Sequence, residues 1–133
     1  MRLITWLTSL WRKKLSSAPR ESVGRWGEGK AVHYLRHRGY KILARNWRVR
    51  MGEIDIVAAK NREVVFVEVK SGSKSSAMGP ELRVGTHKQR KLRALAQAYL
   101  RGRRDEPTAI RFDVISVWRE GHETKIEHFE NAF

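Results

Sequence analysis

The sequence has no cysteine, no long apolar run and few acidic residues. Without cysteine, neither a disulfide bond nor a cysteine-ligated zinc site can form. The hydrophobic residues, 41% of a 133-residue chain, fall in periodic blocks, so we expect a soluble domain with nothing that spans a membrane. The length suits a single domain with its own core, and no internal repeat is present.

The shortage of acids leaves the chain strongly basic. It has 28 Lys and Arg against 14 Asp and Glu, a formal net charge of +14. Residues 29–52 contain no acid, and residues 71–104 contain only Glu81. Such an excess favours a polyanionic partner, either nucleic acid or an anionic membrane surface. Because the two acid-free blocks flank one acidic cluster, we expect contact with nucleic acid rather than merely solvated basic faces.

The first twenty residues form a predicted extension, and residues 21–133 a predicted domain. In the extension Leu3, Leu7, Leu10 and Trp11 recur at helical spacing before a basic cluster, which is compatible with a membrane-surface helix. A frayed extension or a helix packed on its own domain is the favoured alternative. The positive charge follows the apolar stretch, and no A-x-A-like cleavage site is present, so we expect a cytoplasmic protein.

Hydrophobic periodicity predicts two helices and five strands in the remainder. The first helix covers about residues 22–39, with Ala31 and Leu35 on its apolar side and Glu28 on that same side. The second covers about residues 86–101 and ends at Gly102. The strands are "YKILARNW", "EIDIVAA", "VVFVEVK", "AIRFDVISVW" and, at the edge of the sheet, "TKIEHF".

Four polar residues share one face of the hairpin formed by the second and third strands. If residues 61 and 62 are a two-residue loop, Asp55 faces Glu68 and Glu53 faces Lys70. The other face is wholly apolar. It pairs Ile54, Ile56 and Ala58 with Val69, Val67 and Val65.

Two carboxylates opposite each other repel unless a cation lies between them or one of them holds a proton. Lys70 offsets part of the charge, but it cannot fill the coordination positions between Asp55 and Glu68. A divalent ion such as Mg²⁺ can. The alternative is an ion-pair network at a solvated hairpin end, with Asp55 or Glu68 paired to Lys70 and Glu53 to a nearby arginine. Three acids and a lysine on one face, beside two basic regions, favour the cation site.

The spacing D-x12-E-x-K of Asp55, Glu68 and Lys70 resembles the signature of the PD-(D/E)XK nuclease superfamily. More widely, residues from about 24 to 117 resemble the YraN family of endonuclease-fold proteins. The stretches that carry this resemblance are "GRWGEGKAVHYLRHRGYKILARNWRVRMGEIDIVAAKNREVVFVEVKS", "HKQRKLRALAQAYL" and "RFDVISV". Ile54 stands where the superfamily usually has a proline. The resemblance implies an α/β fold in which helices flank a mixed β-sheet, with an αβββαβ core.

By that resemblance the chain is a metal-dependent endonuclease that hydrolyses phosphodiester bonds in nucleic acid, with DNA as the expected substrate. Mg²⁺ or Mn²⁺ is bound by Asp55 and Glu68, Lys70 lies at the scissile phosphate, and Glu28 adds an acid from the first helix. The backbone carbonyl of Val69 is a further candidate ligand. Some superfamily members act as symmetric dimers, so a homodimer is allowed.

The basic face of the second helix is the candidate for phosphate contacts, through Lys88, Arg90, Lys91 and Arg93. A non-catalytic nucleic-acid-binding or recruitment module on the same fold would explain the charge equally well, with or without a membrane tether at the N-terminus. The acid pair distinguishes the nuclease from the binding module, because a protein that only binds phosphates gains nothing from Asp55 beside Glu68.

Several other polar and aromatic residues are assigned structural roles. We expect Trp26 and Trp47 in the core rather than stacked on bases. We expect Asp113 to form a structural ion pair with Arg111 or with a neighbouring strand. We assign no metal-binding role to the five histidines, because their spacing shows no ligand pattern with the acids.

Overall fold

The computed structural model describes residues 20–72, 84–103 and 106–133. Over these residues the chain forms α1 (Arg20–His37), β1 (Lys41–Val49), β2 (Gly52–Lys60), β3 (Glu63–Gly72), α2 (Thr86–Arg101), β4 (Ala109–Glu120) and β5 (Glu123–Phe129). The strands make one sheet in the order β1-β2-β3-β4-β5. It is mixed, because β3 and β4 run parallel while the other neighbours are antiparallel. The predicted α/β class and the αβββαβ core are confirmed, with β5 added at one edge.

Each helix covers one face of the sheet, and the two faces bury separate apolar clusters. The α1-side cluster joins Ala31, Val32 and Leu35 to strand residues that include Ile56, Val67 and Val117. The α2-side cluster joins Leu92, Leu95 and Ala96 to strand residues that include Ile54, Val57 and Phe66. Trp26 packs against the first cluster and Trp47 against the second, so the core positions expected for both are confirmed at the cluster margins.

The helix ends lie close to their predicted positions. α1 ends before Gly39, whose φ of +87° is a left-handed conformation that favours glycine. There the N–H of Tyr40 donates to the carbonyl of Leu35 at 3.0 Å. α2 runs over the predicted residues 86–101, and the N–H of Gly102 donates to the carbonyl of Tyr99 at 3.2 Å.

The hairpin of β2 and β3 turns through the predicted two-residue loop. Asn61 and Arg62 have φ values of 52° and 64°, which is the geometry of a tight mirror-image turn. Lys60 consequently pairs with Glu63, and the predicted register continues as far as Ile56 opposite Val67.

Beyond that point the regular pairing stops. Within residues 52–72, the paired positions of β2 and β3 end at Ile56 and Val67, and the predicted pairs farther along are not among them. Instead an oxygen of the Asp55 side chain accepts the N–H of Val69 at 2.8 Å, in the place of a backbone carbonyl. Ile54 is also displaced from its predicted face, since it packs in the α2-side cluster whereas Ile56 packs in the α1-side cluster.

Asp113 is fully buried in β4 on the side of α1, where it takes part in the predicted ion pair. Arg111 contacts both carboxylate oxygens, at 2.8 and 2.9 Å, and His128 contacts one of them at 2.6 Å. Burial by itself would raise the pKa of Asp113, but the hydrogen bonds with His128 and Arg111 outweigh it and lower that pKa. Because His128 belongs to β5, this network fastens the edge strand to the sheet.

Within the described part of the chain, neither helix has the length and apolar character needed to cross a membrane. The predicted N-terminal extension, apart from Arg20, lies outside the described residues, as do residues 73–83 between β3 and α2.

Candidate metal site at the ends of β2 and β3

The candidate site is centred on Asp55 and Glu68, where β2 begins and β3 ends. Asp55 lies on β2 and Glu68 on β3, and Glu28 approaches from α1. Glu68 and Glu28 each act electrostatically on Asp55, because the charge of each raises its pKa. The assignment of these three acids to one metal site stays a prediction.

The Asp55 carboxylate carries charge that its surroundings do not compensate. Burial and then the negative charge of Glu68 raise its pKa to about 7, with smaller effects of Glu28 and Glu53 in the same direction. The hydrogen bond from the Val69 N–H opposes this rise but does not cancel it. This position therefore favours either a proton or an added cation.

Glu68, by contrast, is held by two ammonium groups. Its side chain is 11% exposed, and its Oε1 accepts a hydrogen bond from Nζ of Lys88 while lying 3.8 Å from Nζ of Lys70. Burial and the nearby charge of Lys88 lower the pKa of Lys70. For Lys88 burial is the largest effect and acts in the same downward direction, but the hydrogen bond with Glu68 and the negative charges of Glu68 and Asp55 together outweigh it, and the pKa of Lys88 is raised.

Close contact between α1 and the end of β3 brings Glu28 near the pair. A Cβ added at Gly27 would lie 2.3 Å from the Cβ of Ser71, so a larger residue cannot occupy that position without a shift. The hydroxyl of Ser71 donates to the carbonyl of Val23 at 3.2 Å, which fastens the two elements together. Glu28 follows Gly27 directly. Sequence reasoning missed the role of Gly27, because nothing in the sequence indicates which strand a helical glycine will meet.

Glu53 forms its ion pair with Arg48 of β1 rather than with Lys70. The Glu53 Oε2 lies 2.6 Å from the Nε of Arg48. The expected pairing of Glu53 with Lys70 is therefore wrong, while the alternative of a nearby arginine is confirmed. The reason is that Glu53 sits on the part of β2 that has already left the β3 ladder and remains paired with β1.

The four basic residues predicted to contact phosphates have different surroundings. Lys88 binds Glu68, and the side chain of Lys91 lies over Gly52 at the start of β2. The guanidinium of Arg93 lies 5.0 Å from the ring centroid of Phe112. Arg90 is exposed. The sequence did not indicate that Lys88 lies beside the acid pair, since the position of Lys88 depends on where α2 crosses the sheet.

The donor set suits a hard divalent cation held by few protein ligands. Among the described residues, no three His, Asp or Glu side chains form a ready-made metal cluster. Mg²⁺, however, is commonly held by one or two carboxylates, with water and phosphate oxygens completing the shell. The uncompensated charge of Asp55 beside Glu68 fits such an ion. The assignment of Glu28 and of the Val69 carbonyl as further ligands stays a prediction.

Comparison with known proteins gives a consistent family but no activity. The model of the "Uncharacterised protein family UPF0102" matches residues 27–117. A "UPF0102 protein" from Syntrophotalea carbinolica is 50% identical over 114 residues, covering 86% of this chain and 93% of that protein. Another, from Alkaliphilus oremlandii, is 44% identical over 115 residues, covering 85% and 98%. A third, from Pseudothermotoga lettingae, is 48% identical over 104 residues, covering 78% and 92%.

Proposed function

The chain belongs to the uncharacterised protein family UPF0102, and we propose that it is a Mg²⁺- or Mn²⁺-dependent endonuclease of the PD-(D/E)XK type. Its substrate would be a phosphodiester bond in nucleic acid, with DNA as the expected form. One observation carries the proposal. The Asp55 carboxylate is half-buried beside Glu68 with its pKa raised to about 7, so binding of a cation there would relieve an electrostatic cost.

The carboxylates would hold the ion and thereby set its position. Asp55 is already oriented by the N–H of Val69, which leaves its second oxygen for the cation. Glu68 would supply the second ligand from β3, and Glu28 would hold a bound water from the side of α1. A bound divalent ion supplies a neutralised phosphate and a more acidic water.

Lys70 would then act on the phosphate itself. Lys70 is two residues from Glu68 on the same strand, and its ammonium nitrogen lies 3.8 Å from the Glu68 Oε1. It therefore lies next to a carboxylate that would bind the ion. From there it would donate a hydrogen bond to a non-bridging phosphate oxygen, where negative charge increases in the transition state. One preorganised donor of this kind is worth about 10²- to 10³-fold in rate in other hydrolases.

The basic surface would position the nucleic acid backbone. Arg90 on α2 and Arg50 at the turn between β1 and β2 are both exposed, and α2 reaches the site through the contact of Lys88 with Glu68. Each phosphate that is neutralised should add about 0.9 to the slope of log affinity against log salt concentration. The net charge of +14 supports a substantial contribution of this kind.

The direct test is cleavage of labelled linear, flapped and four-way DNA, and of matched RNA, with Mg²⁺ or Mn²⁺. We expect cleavage that EDTA stops and that Asp55→Ala abolishes. Lys70→Ala should also abolish cleavage while leaving nucleic-acid affinity nearly intact, because Lys70 would act at the scissile phosphate rather than along the backbone. Unchanged cleavage by Lys70→Ala would remove that residue from the mechanism, and no cleavage of any substrate would refute the activity.

A second function is favoured by the contact between Lys88 and Glu68. Since Lys88 and Lys70 already neutralise that carboxylate, the acids can serve as an internal ion-pair network in a non-catalytic nucleic-acid-binding protein. Calorimetry separates the two functions. A nuclease site must bind Mg²⁺ or Mn²⁺, and Asp55→Asn must abolish that binding. A non-catalytic binding module would bind nucleic acid but would take up no divalent ion, with or without Asp55→Asn.

A further inference from the structure

Lys88 occupies a position that a bound cation would need. Its ammonium donates a hydrogen bond to Oε1 of Glu68, the carboxylate whose negative charge acts on Asp55. A lone pair that accepts a hydrogen bond from ammonium cannot also ligate a divalent ion, and the two positive charges repel at that distance. Glu68 can therefore serve Lys88 or a divalent cation, but not both through the same oxygen.

The two lysines near Glu68 differ in how readily they can leave. The Lys70 side chain is 28% exposed and belongs to a residue held in the β3–β4 ladder, where Lys70 pairs with Ser116. The Lys88 side chain is 45% exposed and belongs to the first turn of α2, which begins at Thr86. Lys88 thus has solvent beside it and a flexible stem, so it is the lysine that can swing away.

The helix itself does not favour a cation at this place. The first turn of α2 contains no acid, and its N-cap, Gly85, supplies no side-chain hydrogen bond. The amino end of a helix carries partial positive charge, which disfavours an ammonium group there. Glu68 is therefore what holds the ammonium of Lys88, and loss of that contact would free it for another anion.

We propose that Lys88 is an exchangeable counter-ion of Glu68, which occupies the carboxylate when the cation is absent and turns to a phosphate oxygen of nucleic acid when the cation binds. This inference rests on the proposed nuclease function and adds regulation to it. Because binding effects are reciprocal, nucleic acid that draws Lys88 away must raise the affinity for the cation. Cation loading would then be coupled to the presence of substrate.

The test is calorimetric titration of Mn²⁺ into the unmodified 133-residue chain and three variants. Lys88→Met removes the competing ammonium and should bind Mn²⁺ about tenfold more tightly, the effect of losing one charge-assisted contact. Lys91→Met is the matched control, since it removes the same charge from the same helix without touching Glu68. Its affinity should stay within about twofold of the wild type. Lys88→Gln, checked for folding by circular dichroism, gives a second variant without the charge.

A second titration, with a short DNA duplex present, tests the coupling. The wild type should gain Mn²⁺ affinity when DNA is added, and Lys88→Met should show a much smaller gain. Equal or weaker Mn²⁺ binding by both Lys88 variants would overturn the exchange while leaving the nuclease proposal intact. If instead no protein takes up Mn²⁺, and the titration matches that of Asp55→Asn, the nuclease proposal fails and the exchange fails with it.

Discussion

Replacing Asp55 by Asn should stabilise the cation-free protein. The variant keeps an oxygen that can accept the N–H of Val69, but it removes the charge that burial and Glu68 make costly. The pKa of Asp55 is raised from 3.8 to about 7 on folding, and each pKa unit is worth about 1.36 kcal/mol, which gives an upper value of about 4 kcal/mol. Since Asp55 is only half-buried, solvent screening and local relaxation lower this cost, and we expect a gain of about 1–3 kcal/mol at pH 8.

The pH dependence identifies the cause. Because the folded pKa lies above the unfolded value of 3.8, the folded protein holds the Asp55 proton more tightly than the unfolded chain. The contribution of Asp55 to stability is therefore lost as the pH rises from about 4 to about 7, and it is level above that range. The advantage of Asp55→Asn should accordingly be near zero at pH 3 to 4 and reach its full size by pH 8.

Urea denaturation of both proteins at several pH values, with EDTA present, measures the difference. Glu53→Gln is a suitable control, because it removes a carboxylate that is 40% exposed and already paired with Arg48. Saturating Mn²⁺ at about 100 times its dissociation constant should stabilise the wild type by about 2.7 kcal/mol and leave Asp55→Asn nearly unchanged. A variant no more stable than the wild type at pH 8, or one whose advantage is equally large at pH 4, would refute the reasoning.

Two further predictions concern Gly27 of α1 and the positive-φ turn between β2 and β3. Shifts in the midpoint of urea denaturation measure both. Gly27→Ala should destabilise by about 1–3 kcal/mol and weaken Mn²⁺ binding, because its Cβ would lie 2.3 Å from that of Ser71. Gly29→Ala in the same helix meets nothing within 4 Å and should stabilise slightly, so equal effects of the two would disprove the contact. Arg62→Gly should stabilise by about 1 kcal/mol, since Arg62 has a φ of 64°, while Asn61→Gly should gain less because Asn tolerates that region. An Arg62→Gly protein less stable than the wild type would contradict the strain.

The candidate site was only partly predictable. The spacing of Asp55, Glu68 and Lys70 along a hairpin indicated that the two acids lie together, and their electrostatic interaction in the structure agrees. The pairing of Glu53 was not predictable, because β2 leaves β3 before that residue. The contact of Lys88 with Glu68 joins residues twenty positions apart on different elements, and no periodicity in either segment encodes it.

The amino-acid sequence by itself determined the local features of this protein. The turn at residues 61–62, the register that follows from it as far as Ile56 and Val67, the span of α2 and the end of α1 at Gly39 all depend on neighbours along the chain or across one tight turn. Backbone preferences and hydrophobic periodicity act over the same short distances, so they can be read from the residues.

Only the tertiary structure decided which side chains surround the acids. Gly27 lets α1 approach the end of β3, and the packing of α2 on the opposite face places Lys88 over Glu68. These arrangements depend on how two helices settle on a twisted sheet, which is set by the combined packing of both apolar clusters. The charge balance of the site is therefore a property of the packed domain, although each charge in it was visible in the sequence.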